Sequence, residues 1–162
     1  MPMSPPVFPS DDIDRIMDVM AVAFDPAFGE AWTRRQVSDA LMVGNCRYGL
    51  LDARGAPPAE GVSAAGFFMA RGVLDEAELL LLAVKPEARR RGIGNNLLEL
   101  FQEDSHLHGA TRLLLEMRDG NTAENLYRQF GFTPIGRRPQ YYRGANGART
   151  DALTFEKLLA CV

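Results

Sequence analysis

Leu79–Gly94 reads LLLLAVKPEARRRGIG. An apolar run stops at Val84, a short turn follows, and Arg89, Arg90 and Arg91 lead into Gly92-Ile93-Gly94 and a helical pattern. A strand here delivers a loop, rich in positive charge and poor in side-chain bulk, to the start of a helix. A helix N-terminus presents unpaired N–H groups and a partial positive charge, which suits a pyrophosphate. The spacing Arg89-x-x-Gly92-x-Gly94 is not the dinucleotide fingerprint GxGxxG, and it lacks the Gly-Lys-Ser/Thr ending of a P-loop. The other reading of such a loop is a tight turn with solvated arginines.

Outward from this loop, the chain alternates helical and strand patterns. Toward the N-terminus, residues 1–9 are proline-rich and read as extended. Ser10, Asp11 and Asp12 can cap a first helix in which Ile13, Ile16, Met17, Met20 and Phe24 recur at helical spacing, until Pro26 ends it. Thr33-Arg34-Arg35-Gln36 reads as a capping box opening a second helix through about Met42. Strands are expected over Cys46–Leu51, Val62–Arg71 and Ala77–Val84, the last two joined by a hairpin over Gly72–Glu76. Toward the C-terminus, a helix over Ile93–His106 precedes a strand over Leu113–Met117. A helix over Asn121–Phe130 follows, capped by Asn121 and closed by Gly131. Phe132–Arg138 and Ala152–Glu156 complete a sheet. The order ααβββαβαββ implies an α/β (α+β) fold with a mixed, mostly antiparallel sheet and helices packed on it.

At 162 residues, with 46% hydrophobic and 24% charged residues, the chain (1–162) fits one globular domain. A net charge of −3 supplies no broad basic field for nucleic acid or a membrane surface, so Arg89–Arg91 act locally. The two cysteines, Cys46 and Cys161, form no CxxC pair, and His106 and His108 are too few for a zinc site, so no metal is expected. MPMSPPVFPS has neither a cationic n-region nor a long apolar h-region, so a cytoplasmic location is expected.

Six stretches together resemble the GNAT superfamily of N-acetyltransferases, and most closely its RimI-type branch. They are AFDPAFGEAWT (23–33), VLDEAELLLLAVKPEARRRGIGNNLLE (73–99), LLLEMR (113–118), NLYRQFGF (125–132), RRPQYY (137–142) and DALTFEK (151–157). The resemblance implies a sheet splayed at the site of acetyl-CoA, with coenzyme A as product. It implies that Arg89, Arg90, Arg91, Gly92, Ile93, Gly94 and Asn95 hold the pyrophosphate. Backbone groups of Leu82, Ala83 and Val84 would pair with the pantetheine arm, and Asn121 would contact the cofactor. The implied acceptor is a protein N-terminus, that of a ribosomal protein in this branch.

Acetyl transfer from a thioester to an amine needs a polarised carbonyl, a base for the ammonium and an acid for the thiolate. An α-amine, with a pKa near 8, needs only a modest base. By the resemblance Glu116 is that base, and Tyr127, whose phenol stays protonated at neutral pH, is the acid. From the residues alone, Glu116 can equally be a surface carboxylate paired with Arg118, two along the same strand. Glu76 and Glu78 are alternative bases. Trp32 and the pair Tyr141-Tyr142, expected in the loop between the last strands, are candidates for binding the acceptor; Trp32 can equally be a core anchor. The branch has one more residue between the Asn and the Leu-Tyr pair, and its RRNYY is lengthened here to RRPQYY. Two other readings stay open: acetylation of a small-molecule amine or lysine, and a non-catalytic acyl-CoA-binding protein.

Overall fold

The computed structural model describes residues 9–160, with side chains from Asp12 onward. Its elements are α1 (Pro9–Ala23), α2 (Arg34–Met42), β1 (Cys46–Leu51), β2 (Gly66–Val73), β3 (Glu76–Val84), α3 (Ile93–Leu107), β4 (Arg112–Arg118), α4 (Glu124–Phe130), β5 (Thr133–Arg143) and β6 (Arg149–Leu158). The strands form one open six-stranded sheet in the order β1-β2-β3-β4-β6-β5. Only β3 and β4 run parallel; the other neighbours are antiparallel.

Each face of the sheet carries its own core. Ile13, Ile16, Val19 and Met20 of α1 and Val37 of α2 pack with Phe67, Met69, Leu81 and Ala83 on one face. Leu97, Leu98 and Phe101 of α3 pack with Phe68, Ala70, Leu113 and Leu115 on the other, joined by Tyr127 of α4. Helices on both faces explain why the inner strands are apolar on both sides.

A bulge in β3 decides which core its residues join. Leu81 pairs with Met69 and Leu79 pairs with Ala70, so Leu80 is one residue too many on β3. The extra residue inverts the alternation: Ala77 and Leu79 enter the α3 core, whereas Leu81 and Ala83 enter the α1–α2 core.

Several sequence expectations change. The extended segment over 1–9 lies outside the described residues, apart from Pro9, which opens α1; proline tolerates a first helical turn because its missing N–H would be unpaired there. The Ser10 and Asp11 side chains lie outside the described residues as well. Asp12 caps nothing: its carboxylate accepts from Arg15 and from the Tyr48 hydroxyl. The strand expected from Val62 starts at Gly66, where the ladders with β1 and β3 both close, at the pairs Leu51–Gly66 and Gly66–Val84. The last helix starts at Glu124, three residues after Asn121. Tyr141 and Tyr142 lie within β5 and not in a loop, since β5 and β6 pair as far as Arg143–Arg149. The extra length of RRPQYY is taken up by a bulge in which Gln140 has φ +53° and donates its N–H to the Asp151 carboxylate. The Thr33–Gln36 capping box forms in full, both bonds included.

Candidate active site

The loop after β3 folds so that its side chains point away and its backbone is left exposed. Arg89 turns inward to the protein: Nε donates to the Val84 carbonyl at 3.1 Å and an Nη to the Ala23 carbonyl at 2.8 Å. It thereby ties the end of β3 to the end of α1. Arg90 adopts φ +63° and Gly92 φ +79°, the left-handed turn that glycine makes without a Cβ penalty. Gly92 is the N-cap of α3 and no side chain caps that helix, so the first-turn N–H groups face outward unclaimed. At Gly94 a Cβ would lie 3.0 Å from a terminal methyl carbon of Leu126 on α4, so the start of α3 packs closely on that helix. Asn95 donates its side-chain amide to Glu99. This donor set, backbone amides at a positive helix end with arginines at the rim, fits a diphosphate.

Beside the loop the sheet opens. β3 and β4 pair from Glu76–Arg112 only as far as Leu79–Leu115. Leu82, Ala83 and Val84 continue to pair with β2, so their other edge borders a gap. The bulge at Leu80 lies where the two strands part. A cavity of about 210 Å³ lined by Ser63, Lys85, Glu87 and Arg91 sits on the β1–β2 side of the loop, away from Glu116 and Tyr127.

Glu116 stands on β4 just past the last β3–β4 pair. Its carboxylate lies 3.6 Å from Arg138 Nε and 3.4 Å from the Thr154 hydroxyl. The pairing with Arg118 considered from sequence does not occur. Arg118 instead donates to Glu30 at 3.2 Å, with its guanidinium 3.6 Å from the centre of the Phe28 ring. Glu76 and Glu78 are engaged before the gap opens, by Arg112 and Arg71 respectively.

Tyr127 is buried on α4, edge-on to Phe132. Burial, and then the charge of Glu30, pushes its phenol well above the ordinary value. Tyr142 is half-buried and its phenol is pushed up to about 12 by desolvation, then by Glu116 and Glu30. Tyr127 belongs to the α3 core, whereas Glu30 sits in the α1–α2 connection. Their electrostatic contact therefore converges on the parted end of the sheet. Tyr141 is the exposed partner of the aromatic pair, 5.2 Å from Tyr142 and under the Arg138 guanidinium.

The family model described as the acetyltransferase (GNAT) domain matches residues 59–134, from the β1–β2 connection to the start of β5. Over this stretch the chain is similar to a GNAT domain. The ribosomal protein bS18-alanine N-acetyltransferase of Salmonella typhimurium is 40% identical over 84 residues, 51% of this chain and 57% of that protein. The matched region thus spans less than two thirds of that relative. The crystal structure of the ribosomal-protein-S18-alanine N-acetyltransferase from Escherichia coli superposes with a TM-score of 0.78 at 27% identity, covering 94% of this chain and 91% of that one. An aminoglycoside 6'-N-acetyltransferase complexed with coenzyme A shares the fold, with a TM-score of 0.71 at 15% identity and coverage of 100% and 96%.

The structure places Glu116 on β4 past the last β3–β4 pair, with Tyr142 within its electrostatic reach, and Gly92–Asn95 at the start of α3 after β3. Trp32 does not join them; it packs against the α1–α2 core. Asn121 turns its side-chain oxygen to the Ala123 N–H at 2.9 Å, so the carboxamide braces the β4–α4 turn. Glu30, Phe28, Arg118 and Arg138 are residues to which sequence reasoning gave no catalytic or binding role. The motif around Trp32 contains Phe28 and Glu30, but their partner Arg118 is 88 residues from Glu30, a pairing that no local spacing signals. Among the described residues no helix is long and apolar enough to cross a membrane, and no cluster of three or more His, Cys, Asp or Glu is placed for a metal ion.

Proposed function

We propose that residues 1–162 form one catalytic unit that transfers acetyl from acetyl-CoA to the N-terminal α-amine of a protein, with a ribosomal protein beginning in alanine as the acceptor and the cytoplasm as the compartment. The observation that carries this reading is a carboxylate, Glu116, on β4 just past the last β3–β4 pair, where the parallel strands part beside an uncapped helix N-terminus. The similarity to the bS18-alanine enzymes supports the acceptor class.

Bound there, acetyl-CoA supplies an activated acetyl thioester. The amides of Gly92–Asn95 would hold its diphosphate, and the edge of Leu82–Val84 that borders the gap would pair with its extended arm as an added strand does. Glu116 removes the proton that the acceptor ammonium must lose; the freed amine forms the new C–N bond while the C–S bond breaks. Tyr127 would stand by the departing sulfur. A phenol raised so far above a thiol is the weaker acid, so its role is to donate a hydrogen bond that stabilises the thiolate, with solvent completing protonation. The amine attacks directly, since the site offers no nucleophile and base in series for a covalent enzyme intermediate.

Thiol release from acetyl-CoA, measured with N-terminal peptides, lysine peptides and small polyamines, tests the reading. Turnover confined to peptides with a free α-amine is expected. Turnover confined to small amines would overturn it.

A further inference from the structure

Glu30 enters the site on a loop fixed at several points. The Asp25 carboxylate accepts from the Ala27 N–H, Gly29 takes a left-handed turn, and the Ala27 carbonyl accepts from the Ala145 N–H at the β5–β6 hairpin tip. Phe28 lies against the Arg118 guanidinium, whose Nε donates to one oxygen of Glu30. The pair is largely shielded, with side-chain exposures of 13% for Arg118 and 25% for Glu30. The loop and the hairpin thus form one lip against β4, and the arginine that half-neutralises Glu30, Arg118, lies two residues beyond Glu116 on the same strand face. The Tyr127 and Tyr142 phenols both register the charge of Glu30.

An α-amine reaches this lip mostly as an ammonium, because its pKa near 8 leaves only about a tenth neutral at pH 7. A cation entering a partly desolvated groove needs an anion. Glu116 is poorly suited to that task if it must also take the proton, since a tight ion pair raises the amine's pKa and opposes the proton's departure. A carboxylate already paired with arginine can accept the ammonium hydrogen bond without holding the proton on.

We infer that Glu30 is the group that receives the acceptor's α-ammonium, a binding and specificity residue separate from the base Glu116. The inference rests on the acetyl-transfer reading above and assigns the ground-state contact that reading leaves open. Arg118 is then a positioning residue: it fixes Glu30 and tempers its charge.

The experiment is a cycle of binding measurements by calorimetry in the presence of coenzyme A. Its two ligands are a short peptide beginning with alanine and the same peptide with the α-amine replaced by hydrogen. Glu30→Gln is expected to weaken the amine peptide by about tenfold or more, the size of one charge-assisted hydrogen bond, and to leave the deaminated peptide unchanged. In turnover, KM for the amine peptide rises by a similar factor, kcat changes little, and Glu30→Asp recovers part of the loss. Equal loss for both peptides, or no loss for either, overturns the inference. If Glu30→Gln unfolds the lip, the double variant Glu30→Gln with Arg118→Met removes both charges and is carried through the same cycle. Wild-type protein that acetylates no α-amine overturns the acetyl-transfer reading and this inference together. Wild-type turnover with a flat cycle overturns this inference alone.

Discussion

The two sides of the gap are built by different means. The coenzyme side is made of backbone: a left-handed glycine, an uncapped helix end and the free edge of one strand. The acceptor side is made of side chains brought from separate parts of the chain, with Glu30 from the α1–α2 connection, Glu116 and Arg118 from β4, and Arg138 and Tyr142 from β5. A backbone site tolerates wide change in side chains as long as the path of the chain is kept. A side-chain site can be retuned one residue at a time. The same fold can thus keep its donor and change its acceptor.

Substitutions on each side test this division, beginning with the largest effect. Glu116→Gln should lower kcat by about 10²–10⁴ with acetyl-CoA binding intact, the range for loss of a general base, read by steady-state rates alongside calorimetry. Wild-type turnover would remove Glu116 from the mechanism. Tyr127→Phe keeps the ring packed against Phe132 and removes only the hydroxyl. Its kcat should fall by roughly 10- to 100-fold, in line with losing one hydrogen bond to a developing anion.

Gly92→Val belongs to the other side. A branched residue at φ +79° should cost on the order of 1–2 kcal/mol and misdirect the amides that follow. KM for acetyl-CoA should rise about tenfold while KM for the peptide holds. If both rise together, the two sides are not separable.

The smallest expected effect is one of acidity and lies away from the site. Asp52 is buried in a tight loop, and the N–H groups of Ala56 and Arg54 hold its carboxyl below the usual range. Because its folded pKa is depressed, its stabilising effect is present above the unfolded value near 3.9. It disappears as pH falls through the folded value. Wild-type Tm should therefore drop toward Asp52→Asn over that acid window and exceed it at neutral pH; parallel curves would refute the assignment.

The division between the sides also explains what could be read from the sequence. Gly92 and the capping-box residues Thr33 and Gln36 act within a few positions of themselves, so their spacing reported a helix start. The order of helical and strand patterns reported a mixed sheet with helices packed on it. What failed was either non-local or a matter of counting along β strands. Arg118 lies two residues from Glu116, the period that puts both on one face, yet it pairs with a loop from the far end of the chain. Pro139 and Gln140 read as a break before a loop, whereas the Asp151 carboxylate folds them into a bulge and lets Tyr142 pair with Thr150. Trp32 carried the composition of a recognition residue and lies partly buried against the α1–α2 core.

The extra residue at Leu80 has an evolutionary corollary. Because it inverts the parity of β3, every position from Leu81 to Val84 is out of phase with the first half of its own strand. Removing Leu80 itself would leave a regular ladder with Leu81 and Ala83 in the same core, but removing or adding a residue on either side of it would turn part of the strand over to the wrong core. Single-codon insertions and deletions should therefore be purged from this strand far more severely than substitutions, leaving its length as a more durable record of ancestry than its letters.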